Sequence, residues 1–186
     1  MNLVLAVTGA TGAWAAKRLV QRSPWPVTLV ASDWGRNVYG REVEPFERLA
    51  ATAAEVCDNA DLAAPIASGS VPTVGMVILP CTAGTMGRIA GGLGDTLITR
   101  AAHCHLKERR RLVLCVRETP WSLIDCENAR TVSAAGGIVM PMSPPFYLAP
   151  DTDPDRVTLT DLLTAFVDRV LAVLGHPAEA NWKTVK

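Results

Sequence analysis

The five apolar residues LVLCV at positions 112–116 end abruptly in the charged pair Arg117 and Glu118. An apolar run without alternating polar residues is typical of a parallel strand that helices cover on both faces. In open sheets of this kind, ligands bind beyond the carboxyl ends of the strands. The pair therefore predicts a site for an anion and a proton transfer, with an ordinary solvent-exposed charge pair as the alternative.

Further stretches rich in apolar residues, at 2–7, 26–31, 76–79 and 138–140, predict additional strands, separated by stretches that favour helices. This alternation predicts an α/β fold with a doubly wound parallel sheet. Residues 55–75 are rich in glycine and proline and predict turns. We expect one domain over 1–186, closed by a helix at about 160–174 that Thr160 or Asp161 caps.

The composition excludes several classes of protein. The 18 basic and 18 acidic residues balance, so nothing predicts binding to nucleic acid. No apolar run approaches the roughly 20 residues that cross a bilayer. A hydrophobic content of 49% predicts extensive burial, part of it between subunits. The N-terminal sequence lacks the basic segment of a signal peptide, so we expect a cytoplasmic protein.

The five cysteines are scattered without CxxC spacing. The odd number, and the apolar neighbours of Cys81 and Cys115, predict reduced and buried thiols. His103 and His105 are two residues apart and would diverge on a helix, so we expect no metal site. No local pattern supports a catalytic Cys–His pair.

Glycine- and hydroxyl-bearing turns follow three of the predicted strands. TGATG follows the first strand, and such a turn can hold a phosphate, although a plain tight turn would look the same. Ser32 ends the second strand, with a helix cap as its alternative role. Thr82 and Thr85 form a second cradle of phosphate size, with a capping role for Thr85 as the alternative. These ends should lie along one edge with Arg117. No acidic residue plainly takes the ribose role of an NAD site, so FMN fits better.

The blocks TGATGA, ASGS (67–70), GMVILPCT, RAAHCHLKERRRLVLCVRETP and PPFY, in this order, resemble the UbiX-type flavin prenyltransferase family over about 3–174. The LKERR…RETP and PCT blocks are specific, whereas the glycine turn alone is not. The resemblance implies a Rossmann-like (flavodoxin-like) sheet in a three-layer αβα arrangement, assembled as a dodecamer. It also implies transfer of a dimethylallyl group from dimethylallyl monophosphate to reduced FMN. The product, prenylated FMN, serves UbiD-type decarboxylases.

The resemblance also assigns roles to individual residues. Glu118 becomes the acid–base group, with Lys107 and Thr11 as further catalytic positions. Cations that clamp the leaving phosphate would lower the barrier without a metal ion. The implied FMN contacts are Gly9, Ala10, Thr11, Ser32, Thr82, Ala83, Gly84, Thr85 and Arg117, and the implied contacts of the prenyl phosphate are Arg100, Lys107, Tyr147 and Arg169.

The chain departs from the family pattern at several positions. Thr11 and Thr82 stand where the family commonly has serine, Asp125 and Cys126 replace His and Leu, and Trp34 is new. The loop between PPFY and the last helix is longer. Solvent-exposed roles for Lys107 and for the last-helix arginine, and simple packing for the tyrosine of PPFY, remain alternatives. Two other functions also stay open: an FMN-dependent decarboxylase of the cysteine-decarboxylase type, whose catalytic His and Asn-rich motif we do not find, and a non-catalytic flavin carrier.

Overall fold

Six parallel strands form one sheet in the order β3-β2-β1-β4-β5-β6, in a computed structural model that describes residues 1–143 and 153–177. The strands are β1 (Leu3–Val7), β2 (Val27–Ala31), β3 (Glu55–Asp58), β4 (Gly75–Cys81), β5 (Leu112–Val116) and β6 (Ile138–Val139). The helices are α1 (Trp14–Arg22), α2 (Asp33–Glu42), α3 (Phe46–Ala50), α4 (Ala83–Ala90), α5 (Leu97–Lys107), α6 (Leu123–Ala134) and α7 (Leu159–Val173). The predicted α/β fold with a doubly wound parallel sheet is confirmed.

The apolar runs form the centre of the sheet because helices cover both of its faces. Every residue of β1, β2, β4 and β5 is buried. One core cluster joins these strands to α1 and α7, through Leu19 and Phe166 among others. The other joins them to α4 and α5, through Met86 and Leu97. A sheet between two helical layers is the predicted three-layer arrangement.

The structure corrects two predictions of local structure. Residues 55–58, which we predicted as turns, form the edge strand β3 beside β2. Three of its four residues are exposed, so the strand lacks the apolar run by which the others were found. The cap of α7 is Thr158 rather than Thr160 or Asp161, and Asp161 completes a capping box with it. A capping carboxylate three residues into the helix was mistaken for the cap itself.

The two cysteines that the sequence predicted to be buried and reduced are both buried and free. Cys81 and Cys115 are free and fully buried, and burial raises the pKa of both. Among the described residues, no group of three potential ligands could hold a metal ion. In the same part of the chain, no helix is long and apolar enough to span a membrane.

Candidate functional site

The carboxyl ends of four strands meet at one edge of the sheet, held together by hydrogen bonds between their last residues. The hydroxyl of Thr8, just beyond β1, donates to the carbonyl of Pro80 at 2.8 Å and accepts from the amide of Thr82 at 2.9 Å. The amide of Ser32 donates to Val7 O at 3.0 Å, tying β2 to β1. The amide of Arg117 donates to Cys81 O at 3.0 Å and ties β5 to β4. This edge therefore brings together the turns after β1, β2, β4 and β5, from which the sequence predicted a cofactor site.

The turn after β1 packs so closely against the start of α2 that it requires glycine. A Cβ on Gly9 would lie 2.6 Å from the Cβ of Trp34, nearer than real side chains approach. Gly12 has a φ of +93°, a conformation that costs glycine little. The turn that contains Ala10 and Thr11 is thus held at both ends by positions that only glycine fits well. Ala10 is buried, whereas Thr11 is exposed at the edge of the sheet.

A carboxylate from elsewhere in the chain caps α1. Oε2 of Glu42, the last residue of α2, accepts hydrogen bonds from the amides of Gly12 at 2.9 Å and Ala13 at 2.8 Å. The helix has no side-chain cap of its own and no acidic residue in its first turn. A negative charge is favourable at this position because the helix dipole is positive there. The amides that would have served a phosphate at this turn are therefore already in use.

Sequence reasoning missed Glu42. It lies 29 and 30 positions from the amides that it binds, and nothing in its neighbourhood marks it as a cap. The only available signal was indirect: α1 begins without Ser, Thr, Asp or Asn at its cap position, so its first amides needed an acceptor from elsewhere.

The start of α4 forms a second, open cradle at the same edge. Thr82 caps the helix, and its hydroxyl accepts from the amide of Thr85 at 3.0 Å and donates to the Thr85 hydroxyl at 2.9 Å. A Cβ built on Gly84 would meet nothing nearer than the Thr82 hydroxyl, 4.0 Å away. Ala83 and Gly84 supply the first amides of the helix, and the space above them is open. The cap of α4 is therefore Thr82 and not Thr85, the position that the sequence offered for this role, and a Thr82 cap is compatible with anion binding at the same helix end.

Arg117 carries an unsatisfied donor at this edge. Its Nε is buried and has no hydrogen-bond partner among the described residues. An orphaned donor of this kind is costly unless a ligand supplies the acceptor. The phosphate and the carbonyl groups of FMN are acceptors, so the donor set at this edge fits FMN. Ser32, by contrast, uses its side chain to accept from the amide of Gly35 and caps α2.

Glu118 follows Arg117 and points away from the core. Its side chain is exposed, and one carboxylate oxygen accepts from the amide of Thr119 at 3.1 Å. Its carbonyl accepts from the indole of Trp121 at 3.0 Å. A carboxylate that is accessible beside an orphaned arginine can exchange a proton with a ligand held at this edge.

Lys107 lies near the amino ends of the strands, opposite to the carboxyl ends that hold Arg117 and Glu118. The amide of Leu97, at the start of α5, donates to the carbonyl of Asn59, immediately after the carboxyl end of β3. Eleven helical residues rise about 16 Å. The helix ends at Lys107, four residues before β5 begins. Arg100, the fourth residue of the helix, is exposed and donates from Nε to the carbonyl of Ala67 at 3.2 Å.

Arg169 is exposed on α7, although its neighbours Val167, Val170 and Leu171 are buried. This exposure is the alternative that the sequence left open for the last-helix arginine, and it arises because the helix turns this position outward while its apolar face covers the sheet. The end of α7 lies near the amino ends of the strands, where Arg111 donates to the carbonyl of Leu174 at 2.5 Å. Tyr147 lies outside the described residues. A single chain therefore does not bring Lys107 and Arg169 to the edge that holds Arg117 and Glu118.

His105 is a buried structural residue rather than a metal ligand. Its Nδ1 donates to the carbonyl of Ala101 at 2.7 Å, since a carbonyl can only accept. Its Nε2 then accepts from the hydroxyl of Thr73 at 2.8 Å. Burial lowers the pKa of the ring, and the charge of Arg110 lowers it further, whereas the hydrogen bond to Ala101 acts in the opposite direction. The histidine is therefore neutral at pH 7.

Several known proteins resemble this chain in sequence and in fold. The profile of the Flavoprotein family matches residues 1–170. The flavin prenyltransferase UbiX of Deinococcus radiodurans is 41% identical over 98% of this chain and 93% of its own length. The crystal structure of AnUbiX (PadA1) in complex with FMN and dimethylallyl pyrophosphate has a TM-score of 0.90 at 35% identity, covering 97% of this chain and 96% of that chain. A dodecameric FMN-dependent UbiX-like decarboxylase from Escherichia coli O157:H7 has a TM-score of 0.88 at 35% identity, covering 97% and 98%.

The relatives cover the chain almost end to end, so the resemblance seen in the sequence blocks extends to the whole fold. The prediction made from the LKERR…RETP and PCT blocks is confirmed. Together, the family profile, the identity and the structural agreement show that this chain belongs to the flavoprotein family and, within it, to the UbiX-type flavin prenyltransferases.

Proposed function

We propose that this protein joins a dimethylallyl group from dimethylallyl monophosphate to reduced FMN and so makes prenylated FMN. The observation that carries the proposal is the orphaned, buried Nε of Arg117 at the strand edge, between the open cradle of α4 and the accessible carboxylate of Glu118. The relative with bound FMN and dimethylallyl pyrophosphate supports the choice of ligands.

The flavin phosphate would bind at the start of α4. Glu42 already uses the amides of Gly12 and Ala13 at the start of α1, and its charge would repel a phosphate there. Thr82–Thr85 offer amides, hydroxyls and the open space above Gly84. The glycine turn from Gly9 to Thr11, together with Ser32 and Arg117, would then line the flavin ring.

When bound, reduced FMN would supply the nucleophile that forms the new bond to the dimethylallyl carbon, while the allylic carbon–oxygen bond would break with its electron pair leaving on the phosphate. Lys107, Arg100, Tyr147 and Arg169 would stabilise that phosphate through charge and hydrogen bonds. A proton released from the flavin needs an acceptor. Glu118 is the accessible carboxylate at this edge, and Glu42 is a second carboxylate beside the glycine turn.

The active site would need more than one copy of the chain. Lys107 and Arg169 lie away from the edge that holds Arg117 and Glu118, so a second copy must supply them. The start of α6, directly after this edge, exposes Leu123 at 77% and Ile124 at 73%, an apolar surface suited to contact between copies. This proposal requires a homo-oligomer, and the dodecameric relative from Escherichia coli O157:H7 supports a dodecamer.

Complementation between two inactive variants tests the shared site. Lys107→Ala and Glu118→Gln should each be inactive alone. Mixed oligomers, formed by unfolding and refolding the two variants together, should recover part of the activity, because some sites receive an intact residue from each. The double variant mixed with Lys107→Ala is the control and should stay inactive. No recovery from the mixture of single variants would show that both residues act within one copy.

The reaction itself is tested by anaerobic incubation of the protein with reduced FMN and dimethylallyl monophosphate, followed by mass spectrometry of the flavin. A gain of one prenyl unit is expected. A carrier would return FMN unchanged, and so would a decarboxylase of the cysteine-decarboxylase type, which a separate incubation with a peptidyl cysteine would identify by the release of carbon dioxide. We also propose that the chain is a single cytoplasmic domain and that its product passes to a UbiD-type decarboxylase.

A further inference from the structure

The segment 67–73, which contains ASGS, is fastened along α5 at both of its ends. At one end the carbonyl of Ala67 accepts from Nε of Arg100 at 3.2 Å and from Sγ of Cys104 at 3.0 Å. At the other end the hydroxyl of Thr73 donates to Nε2 of His105 at 2.8 Å. Both Cys104 and His105 are buried, so these anchors belong to the core. The middle of the segment needs a separate support.

Arg110 supplies that support. One terminal nitrogen of its guanidinium donates to the carbonyl of Val71 at 2.6 Å, and the other donates to the carbonyl of Gly69. The planar fork of arginine can hold two carbonyls at a fixed separation, which the single point charge of lysine cannot do. The neighbouring Arg111 makes a similar bond to a different target, the carbonyl of Leu174 at the end of α7. The two arginines thus provide a matched pair for experiment.

The other side of Gly69 lies against Lys107. A Cβ on Gly69 would fall 2.6 Å from Nζ of Lys107 and closer still to the carboxylate of Glu108. Lys107 and Glu108 are themselves paired at 2.5 Å. The side chain of Lys107 is 56% exposed, and an exposed lysine ordinarily samples many rotamers. The backbone at Gly69 removes part of that freedom by closing one side of the ammonium group.

We propose that Arg110 is a positioning residue for Lys107. It fixes Gly69, and Gly69 confines the Lys107 ammonium to the orientation in which it meets the phosphate of the prenyl donor. This inference rests on the proposed function, since that function gives Lys107 a phosphate to bind. Its particular consequence is that replacing Arg110 acts on the prenyl donor and leaves flavin binding at the far edge of the sheet unchanged.

Steady-state kinetics of Arg110→Ala and Arg110→Lys test the first part, with Arg111→Ala as the matched control. Loss of the fork should raise KM for dimethylallyl monophosphate about tenfold, the change expected when one charge-assisted contact is weakened. The Kd for FMN should stay at the wild-type value. Arg111→Ala removes a comparable backbone contact and should leave KM unchanged. Arg110→Lys keeps the charge but not the fork, so it can be assayed in place of Arg110→Ala if that variant fails to fold.

NMR of the lysines tests the second part without any turnover. The sequence contains four lysines, at positions 17, 107, 183 and 186, so reductive methylation with 13C-formaldehyde gives few signals, and Lys107→Arg assigns one of them. Arg110→Ala should move the Lys107 signal to the position of a freely rotating lysine, and Arg111→Ala should not. If wild-type protein makes no prenylated FMN but the signal still depends on Arg110, the proposed function fails and the positioning role stands. Equal effects of the two arginine variants on the signal and on KM would overturn the inference.

Discussion

Removing the carboxylate of Glu42 should loosen the glycine turn and the start of α1 together. Glu42→Ala deletes both acceptor contacts, at 2.9 and 2.8 Å, and leaves the amides of Gly12 and Ala13 without their acceptor. A hydrogen bond to a charged group contributes about 1.5–3 kcal/mol, and losing a helix cap costs about 0.5–2 kcal/mol. The two bonds share a single oxygen and the site is half-buried, so their contributions overlap. We expect a loss of about 2 kcal/mol in the free energy of unfolding.

Urea unfolding monitored by circular dichroism measures this loss, and thermal unfolding should show a fall in Tm of about 4–8 °C for a chain of this length. Glu42→Gln keeps an acceptor oxygen without the charge and should lose about half as much. The exposed Glu47→Ala on α3 serves as a control for removing a surface glutamate. FMN titration should show weaker binding for Glu42→Ala, because the turn that lines the flavin is no longer held. A stability and an FMN affinity equal to those of Glu47→Ala would refute the capping role.

Three further predictions concern other parts of the edge and the core. Gly9→Ala places a methyl group 2.6 Å from Trp34, so it should cost about 1–3 kcal/mol of stability and weaken FMN binding, both measurable on the purified variant. Thr82→Ala removes the cap of α4 and should cost about 1 kcal/mol, and it should also weaken FMN binding, whereas the same change at the exposed Thr131 should leave flavin binding intact. His105 is buried neutral with a lowered pKa, so the unfolded chain takes up its proton first on acidification. The contribution of His105 to stability should therefore be full above about pH 6.5 and fall as the pH drops below it, by at most about 1.4 kcal/mol per pH unit, and His105→Gln should lack this contribution.

The sequence predicted best those parts of the fold in which local pattern and tertiary environment agree. The run LVLCV is apolar because β5 is buried on both faces, so its pattern is unambiguous. Cys57 is the one buried residue of β3. A strand of four residues with a single buried side chain shows almost no alternation of apolar and polar residues. The edge strand forms because β2 offers it a partner, and that partner cannot be read from the segment itself.

The candidate site divides in a similar way. The turns at Gly9 and Thr82 were visible because special backbone geometry and caps demand particular residue types. The role of Glu42 depends on where α2 ends relative to α1, and that distance is a property of the packed structure. Lys107 was identified from its sequence block, but its placement at the far edge follows only from the direction of α5.

The two thiols beneath the strand edge bear on how long such a protein lasts in an oxygenated cell. Reduced flavins react with oxygen and generate peroxide, and peroxide attacks cysteine as the thiolate. Cys81 and Cys115 are fully buried, and their raised pKa keeps them protonated. Neither therefore offers peroxide an accessible thiolate. Of the five cysteines, Cys126 on α6 is the one that a single chain leaves exposed.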